Sequence, residues 1–166
     1  MIKKNFKKNL FYFFVLIFIF ALDRLSKLYI LNLAEIERQV DIYISPFLNL
    51  YLIWNTGIGF GLFSSEQSFY YNLVTIIIVL INILILIMIF KSTIYRKFFL
   101  LMILGGSLGN LFDRLYYAAV PDFIDLHYGN YHWFVFNVAD IFISLGILCL
   151  ILDEIFFNNQ KTKHDL

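Results

Sequence analysis

Polar and apolar positions vary on two scales along this chain of 166 residues. On the longer scale, polar segments separate apolar runs that span residues 10–22, 73–90, 98–112 and about 137–157. A helix of about 20 mainly apolar residues crosses the hydrocarbon core of a bilayer. The pattern therefore predicts four membrane helices, over about 8–31, 70–90, 97–113 and 137–157.

On the shorter scale, two sets of residues alternate within 47–54. Asn49, Tyr51 and Ile53 alternate with leucines and with Trp54. This period of two is typical of a strand, and the sequence Asn-Thr-Gly that follows at 55–57 is a turn signal. We expect a small sheet on or in the membrane surface between the first two helices.

Composition supports the membrane class, since 61% of the residues are hydrophobic and only 15% are charged. Soluble domains carry about 25% charged residues. We therefore expect an α-helical integral membrane protein with a single domain over residues 1–166. Cys149 is the sole cysteine, which excludes an intramolecular disulfide. The net charge of +1 gives no information about partners, and no nucleic-acid partner is expected.

The first apolar run follows four lysines and so begins like a secretory signal peptide. No small-x-small cleavage site comes after it. Asp23-Arg24 follows instead, and we interpret the run as a retained first helix. Asp23 and Lys27 lie four residues apart, which places them on one helical face where they can pair.

The basic residues predict the orientation in the membrane. Nine of the thirteen lysines and arginines lie in residues 1–9, 91–97 and 158–166, which all fall on one side of a four-helix topology. The positive-inside rule makes that side, with both termini, cytoplasmic. The segments 32–69 and 113–136 are then expected on the outer side.

The polar residues at this outer edge are the candidates for chemistry. Asp122 lies in the segment before the last helix, and Asp140 lies about one turn into that helix. Two neighbouring carboxyl groups do not both ionise easily, so one keeps a proton. The ionised group can activate water while the protonated group polarises a carbonyl, which is peptide hydrolysis without a metal or cofactor. Whether the two meet depends on the tertiary structure.

Other residues of this edge have helical spacings that group them. Gly106, Asn110 and Arg114 share one face of the third helix, and Asn137 shares a face of the fourth helix with Asp140.

Less specific interpretations compete at several of these residues. Asp113 and Arg114 are expected to form a local pair at a helix end. Asp125 is expected to be a solvated or structural acid. His127 and His132 lack a third ligand at a suitable spacing, so a metal site is not expected.

Two other classes of function remain as alternatives. Acids in membrane segments also serve as proton relays, as in a small proton-coupled transporter or channel. Against this class, the acids gather at one edge and do not form a path across the bilayer. A membrane scaffold without chemistry is the third class.

Five sequence blocks, in order between the apolar runs, give the chain a family resemblance. They are Asp23-Arg-Leu-Ser-Lys27, Asn55-Thr-Gly-Ile-Gly-Phe60, Gly105 to Arg114, Asp122-Phe-Ile-Asp125 and Phe136-Asn-Val-Ala-Asp140. Together they cover nearly the whole chain. The chain resembles lipoprotein signal peptidase (signal peptidase II), the bacterial intramembrane aspartic peptidase that is the target of globomycin.

The resemblance implies that Asp122 and Asp140 are the catalytic dyad. Supporting or substrate-binding residues would be Asn55, Gly106, Asn110, Arg114, Asn137, Asp23 and Lys27. The substrate would be a prolipoprotein with a diacylglyceryl cysteine, cut just before that cysteine.

The resemblance also implies a fold and a location. The fold would have an external β-cradle at about 40–66 and a short external loop or helix within about 114–136. The location would be the bacterial inner membrane, with a multi-pass chain in contact with lipid and the active site near the outer face. We expect a monomer.

Overall fold

The computed structural model describes residues 2–57, 68–129 and 131–158. The elements follow in the order α1 (Ile2–Glu37), β1 (Asp41–Ser45), β2 (Leu48–Asn55), α2 (Ser68–Lys91), α3 (Ile94–Tyr117), β3 (Val120–Tyr128), β4 (Tyr131–Phe136) and α4 (Val138–Asp153). A π-helical turn, Glu154–Asn158, ends the described chain. Each predicted apolar run thus lies in a helix, and most helices extend beyond the predicted bounds.

Two of these helices have the length and composition of membrane spans. They are Tyr70–Lys91, within α2, and α3. Most apolar side chains of α2 are exposed, as expected of a helix whose neighbour is lipid. The α3 helix is more buried because it packs against α1, α2 and α4.

Glycines allow α3 to approach its neighbours closely. A Cβ atom at Gly109 would lie 2.3 Å from Oδ2 of Asp23 on α1, and one at Gly106 would lie 2.5 Å from the backbone oxygen of Ala139 on α4. Neither distance leaves room for a methyl group. The small residues of the third helix therefore set its spacing from the first and the fourth, as their pattern indicates.

The strands form one antiparallel sheet in the order β1-β2-β3-β4. Of the alternating residues 47–54, all but the first lie in β2, which confirms the strand prediction. Buried Ile30, Val40 and Phe123 form an apolar cluster that fastens the sheet to the end of α1. The sheet therefore lies at the end of the helices where α1 and α3 finish and α4 begins.

The predicted short helix within 114–136 is wrong for the described residues. The α3 helix continues to Tyr117 and stops at Ala118, whose φ of 56° is left-handed. Strands β3 and β4 follow, and Pro121 in β3 lacks the N–H that a helix interior requires. The predicted cradle at 40–66 contains β1 and β2 but misses β3 and β4, and its residues 58–66 lie outside the described chain.

Candidate active site

Asp122 and Asp140 line the same cavity, although they come from different elements. Asp122 is near the start of β3, and Asp140 is in the first turn of α4. The cavity has a volume of about 310 Å³. Its lining residues are Asn55, Ile78, Ser107, Asn110, Arg114, Val120, Asp122, Asp140, Ile143, Ser144 and Ile147. The wall is thus part apolar and part polar, with the two carboxyl groups as its acids.

Asn137 connects the two carboxyl groups. Its side-chain Nδ2 donates to Oδ1 of Asp122 at 2.6 Å, and its backbone N–H donates to Oδ2 of Asp140 at 3.1 Å. Its Oδ1 accepts a hydrogen bond from the backbone N–H of Asp140 at 3.2 Å. Asn137 and Asp140 are therefore the N-cap and N3 residues of a capping box. The start of α4 holds both acids in a fixed relation.

Asn55 holds the second oxygen of Asp122. Its Nδ2 donates to Oδ2 of Asp122 at 2.8 Å, while its Oδ1 accepts from the N–H of Gly57 at 2.9 Å. The bond to Gly57 orients the amide so that its donor faces the acid. Asp122 thus receives one amide donor on each oxygen.

Asn110 holds one oxygen of Asp140 in the same way. Its Nδ2 donates to Oδ1 of Asp140 at 2.9 Å, and its Oδ1 accepts from Nζ of Lys27 at 2.7 Å. Because an ammonium group only donates, Lys27 determines which end of the amide faces Asp140. Lys27 thus acts on the acid through Asn110.

Burial raises the pKa of Asp122 to about 6. The neighbouring charge of Asp140 is the second cause of this upward shift, and the amide groups of Asn55 and Asn137 oppose it. A buried carboxylate with a like charge nearby is harder to ionise than one in water. The pair is therefore suited to keeping one proton.

Arg114 contributes a cation to the cavity wall. Its Nη2 donates to the backbone oxygen of Gly57, and its guanidinium lies 5.7 Å from the ring centroid of Tyr71. Its Nε and Nη1 are buried and have no hydrogen-bond partner within the described parts of the chain. Two donors therefore remain for a bound group.

A second buried group of charges supports the site from α1 and α3. Lys27 lies 2.8 Å from Asp23 and 2.7 Å from Asp113, and Arg24 also pairs with Asp113. The Asp23–Lys27 pair is confirmed. The predicted local pair of Asp113 with its neighbour Arg114 is wrong, because the two side chains leave α3 in different directions, towards α1 and towards the cavity.

Asp23 also touches α4, since its Oδ1 accepts from the backbone N–H of Ala139 at 3.0 Å. Gly106 lies where α3 meets the same residue and provides space, not a polar group. The structure therefore brings together every residue of the predicted site. Arg24 and Asp113 are members of this charge group that the predicted site did not include, and their positions in the first and third sequence blocks were the available signal.

Comparison with known proteins gives a consistent family. A family model described as signal peptidase (SPase) II matches residues 15–156. The lipoprotein signal peptidase of Pelagibacter ubique (strain HTCC1062) is 58% identical over 160 residues, which cover 96% of this chain and 95% of that protein. The lipoprotein signal peptidase of Anaplasma phagocytophilum (strain HZ) is 40% identical over 149 residues, 90% of this chain and 94% of that protein.

Solved structures agree at the level of the fold. Two bacterial membrane enzymes superpose with TM-scores of 0.70 and 0.72, at 21% and 24% sequence identity. The first comparison covers 90% of both chains, and the second covers 88% of this chain and 93% of the other. Taken with the family match over most of its length, these similarities establish that the chain belongs to the signal peptidase II family.

Proposed function

We propose that this protein is a lipoprotein signal peptidase whose catalytic residues are Asp122 and Asp140. It removes the signal peptide from diacylglyceryl-modified prolipoproteins by cutting before the lipidated cysteine. The observation that carries the proposal is the connection of both carboxyl groups through Asn137 at one cavity. Family membership supports the reaction, and this geometry supports the assignment of Asp122 and Asp140 as the residues that perform it.

The chemistry follows from a pair that holds one proton. The ionised carboxylate takes a proton from a water molecule as that water attacks the scissile carbonyl carbon. The protonated carboxyl donates to the carbonyl oxygen, which becomes a hydroxyl in the tetrahedral intermediate. The carboxyl that took the proton from water then passes it to the amide nitrogen as the C–N bond breaks, while the other carboxylate takes a hydroxyl proton from the intermediate as the C=O bond re-forms, which leaves the pair singly protonated. The reaction needs no metal and no covalent intermediate.

The polar neighbours position this reaction. Asn55, Asn110 and Asn137 fix the carboxyl oxygens by donating to them, which orients the acids before substrate arrives. The Nε and Nη1 of Arg114, which have no hydrogen-bond partner among the described residues, are suited to a backbone carbonyl of the substrate. Lys27 and Asp23 are positioning residues, since they act through Asn110 and through the start of α4.

We further propose that residues 1–166 form a single membrane domain and that α1 to α4 all cross the bacterial inner membrane. The sheet then lies on the outer face. Support comes from the position of the site, because α3 ends next to β3, whereas Arg96 and Lys97 lie near its other end. Both termini are then cytoplasmic. The substrate's acyl chains enter from the surrounding lipid, and the enzyme acts as a monomer.

The decisive experiment is cleavage by the purified protein in detergent or lipid. The substrate is a prolipoprotein with a diacylglyceryl cysteine, and the matched control is the same prolipoprotein without the lipid. Mass spectrometry of the products should show a mature chain that begins with the lipidated cysteine. Absence of cleavage, or equal cleavage of the unlipidated control, would contradict the proposed function.

A separate experiment tests the orientation. A reporter that is active only outside the cytoplasm, fused after Leu126 in β3, should be active, whereas the same reporter fused after Lys91 should be silent. A silent reporter at Leu126 would contradict the proposed orientation. It would leave the proposed chemistry untouched, because the cleavage experiment does not depend on orientation.

A further inference from the structure

We propose that Asp125, His127 and His132 form a binding site for a divalent metal ion of the zinc type. These three residues lie on the β3–β4 hairpin, and the peptidase chemistry does not use them. Asp125 is three residues beyond Asp122 along β3, so it faces the opposite side of the strand. The site is thus separate from the proposed catalytic cavity.

The register of the hairpin brings the three side chains together. His127 on β3 pairs directly with His132 on β4. The preceding pair is Leu126 with Phe134, so Trp133 is the extra residue of a β-bulge in β4. A bulge of this kind redirects side chains. Asp125 lies two residues before His127 and therefore shares its face. The bulge is the structural reason why two histidines and an acid meet.

The distances suit a common ligand. One nitrogen from each histidine and one oxygen of Asp125 all lie within 4.8 Å of one another. Oδ2 of Asp125 is 2.7 Å from Nδ1 of His132 and 3.8 Å from Nδ1 of His127. Ligands of a zinc ion at about 2.1 Å can be no more than about 4.2 Å apart, so movements of under about 1 Å would complete the site.

Burial and unpartnered atoms distinguish this cluster from an ordinary pair. The side chains of Asp125 and His127 are only 1% and 8% exposed, whereas His132 is 57% exposed and gives an ion access from solvent. Oδ1 of Asp125 and Nδ1 of His127 are buried without a hydrogen-bond partner among the described residues. Oδ1 of Asn49 is also buried without a hydrogen-bond partner among the described residues. Asn49 is the residue of β2 that pairs with Asp125 of β3, so the two side chains lie on the same face of the sheet.

A simple ion pair between Asp125 and His132 explains only one contact. It leaves buried polar atoms of Asp125, His127 and Asn49 without a hydrogen-bond partner among the described residues, and such atoms are rare in native proteins. A metal ion would be bound by several of these atoms at once. Two imidazoles and one carboxylate are typical zinc ligands, whereas magnesium and calcium prefer oxygen alone. Asn49 or water can provide the fourth ligand.

This geometry changes what the sequence indicated. Spacing alone offered only the two histidines, because a hairpin bulge and a facing acid are not visible in a sequence. The ion would link β3 to β4, and β3 carries Asp122 while β4 leads to Asn137. Its role would be to stabilise the frame of the cavity, so this inference does not depend on the proposed reaction.

The test is metal binding by the full-length protein after removal of any affinity tag and of bound metal by a chelator. Co²⁺ serves as the spectroscopic probe, and Zn²⁺ is measured by competition with a chromophoric chelator. The wild type should bind one equivalent of Zn²⁺ and show the visible bands of a four-coordinate Co²⁺ site. Zn²⁺ should also raise its unfolding temperature.

The variants are His127→Gln and His132→Gln, with His164→Gln as the matched control outside the described residues. Each of the first two should weaken Zn²⁺ binding by about tenfold or more, since loss of an outer contact alone can cost that much. His164→Gln should bind like the wild type. His132 is exposed, so its variant is expected to fold, and an unchanged unfolding temperature without metal verifies this.

Two results would overturn the proposal. One is the absence of stoichiometric Zn²⁺ binding by the wild type at micromolar concentration. The other is wild-type binding and wild-type Co²⁺ bands in both hairpin variants, which would assign the metal to other residues.

Discussion

Two groups of aspartates lie side by side in this protein, and they differ in what surrounds them. Asp23 and Asp113 are paired with the cations of Lys27 and Arg24. Asp122 and Asp140 are instead held by the neutral amides of Asn55, Asn110 and Asn137. The two groups meet at Lys27, which also binds Asn110.

The difference explains how one residue type serves two purposes. The side chains of Lys27 and Arg24 place a cation beside each buried carboxyl group of Asp23 and Asp113, so these ion pairs join α1 to α3. Amide donors orient an acid but neutralise none of its charge. Burial and then the charge of Asp140 raise the pKa of Asp122 to about 6 against the opposing effect of these amides, which suits proton transfer near neutral pH.

The largest expected effect is on catalysis by the amide-held group. Asp122→Asn and Asp140→Asn should each lower kcat by about a thousandfold or more, because an amide neither accepts the proton of water nor supplies one. The folded state should persist, since asparagine has the same size. Steady-state cleavage of a lipidated prolipoprotein measures the loss of kcat, and thermal unfolding shows whether the folded state persists.

Asp41→Asn is the control for these variants, because Asp41 is an exposed acid on β1. It should have wild-type activity. Residual cleavage of about a tenth of wild type in either catalytic variant would contradict the assigned roles.

The next largest effect is on stability and arises in the ion-paired group. Lys27→Met should destabilise the protein by about 3–5 kcal/mol, because it removes the cation between two buried carboxylates. Activity should also fall, since Asn110 loses the contact that orients it towards Asp140. Thermal unfolding in detergent and kcat together measure both consequences.

Lys91→Met provides the comparison, since Lys91 is exposed at the end of α2. Lys91→Met should leave the unfolding temperature and kcat nearly unchanged. If Lys27→Met unfolds at the wild-type temperature, the ion-paired group does not have the structural role assigned to it.

Two glycine variants test the two aspartate groups separately, and their expected effects on stability and kcat are smaller. Gly109→Ala places a methyl against Asp23, and Gly106→Ala places one against the backbone of Ala139, next to Asp140. Each should destabilise the protein by about 1–3 kcal/mol through overpacking. Gly106→Ala should lower kcat more than Gly109→Ala does, because its clash moves the helix that carries a catalytic acid.

Leu115→Ala, at an exposed position of the same helix, is the reference for both. Unfolding temperatures and kcat are measured on all three. Equal losses of kcat in Gly106→Ala and Gly109→Ala would mean that the two groups are not mechanically distinct.

The last prediction needs no substitution and concerns pH. A carboxyl with a raised pKa stays protonated at pH values where an ordinary aspartate is ionised, so the singly protonated pair is lost only as pH rises past about 6. On that alkaline side kcat/KM should fall by about tenfold per pH unit. The acid and base limbs belong to the pair and not to one residue.

A pH–rate profile from about pH 5 to 9 gives the measurement. Asp41→Asn should reproduce the wild-type profile. A rate that stays flat into alkaline pH would exclude a pair that works by sharing one proton.

Much of the fold was predictable because its signals are local. The apolar runs identify the helices, since hydrocarbon tolerates only segments whose backbone hydrogen bonds are internal. The alternation at 47–54 indicates β2 for a similar reason, because one of its faces is covered. The segment 114–136 was mistaken since a left-handed Ala118 and a β-bulge leave no periodic signal.

The sequence by itself determined which residue types are available to the site, through short blocks such as Asp23–Lys27 and Asn137–Asp140 whose members are one helical turn apart. Only the tertiary structure decided their partners. It paired Asp113 with α1 and not with Arg114, held Asp122 between two amides, and brought Asp125 to the two histidines. Such choices depend on distances between elements far apart in the chain, and electrostatic and hydrogen-bond energies are determined by those distances.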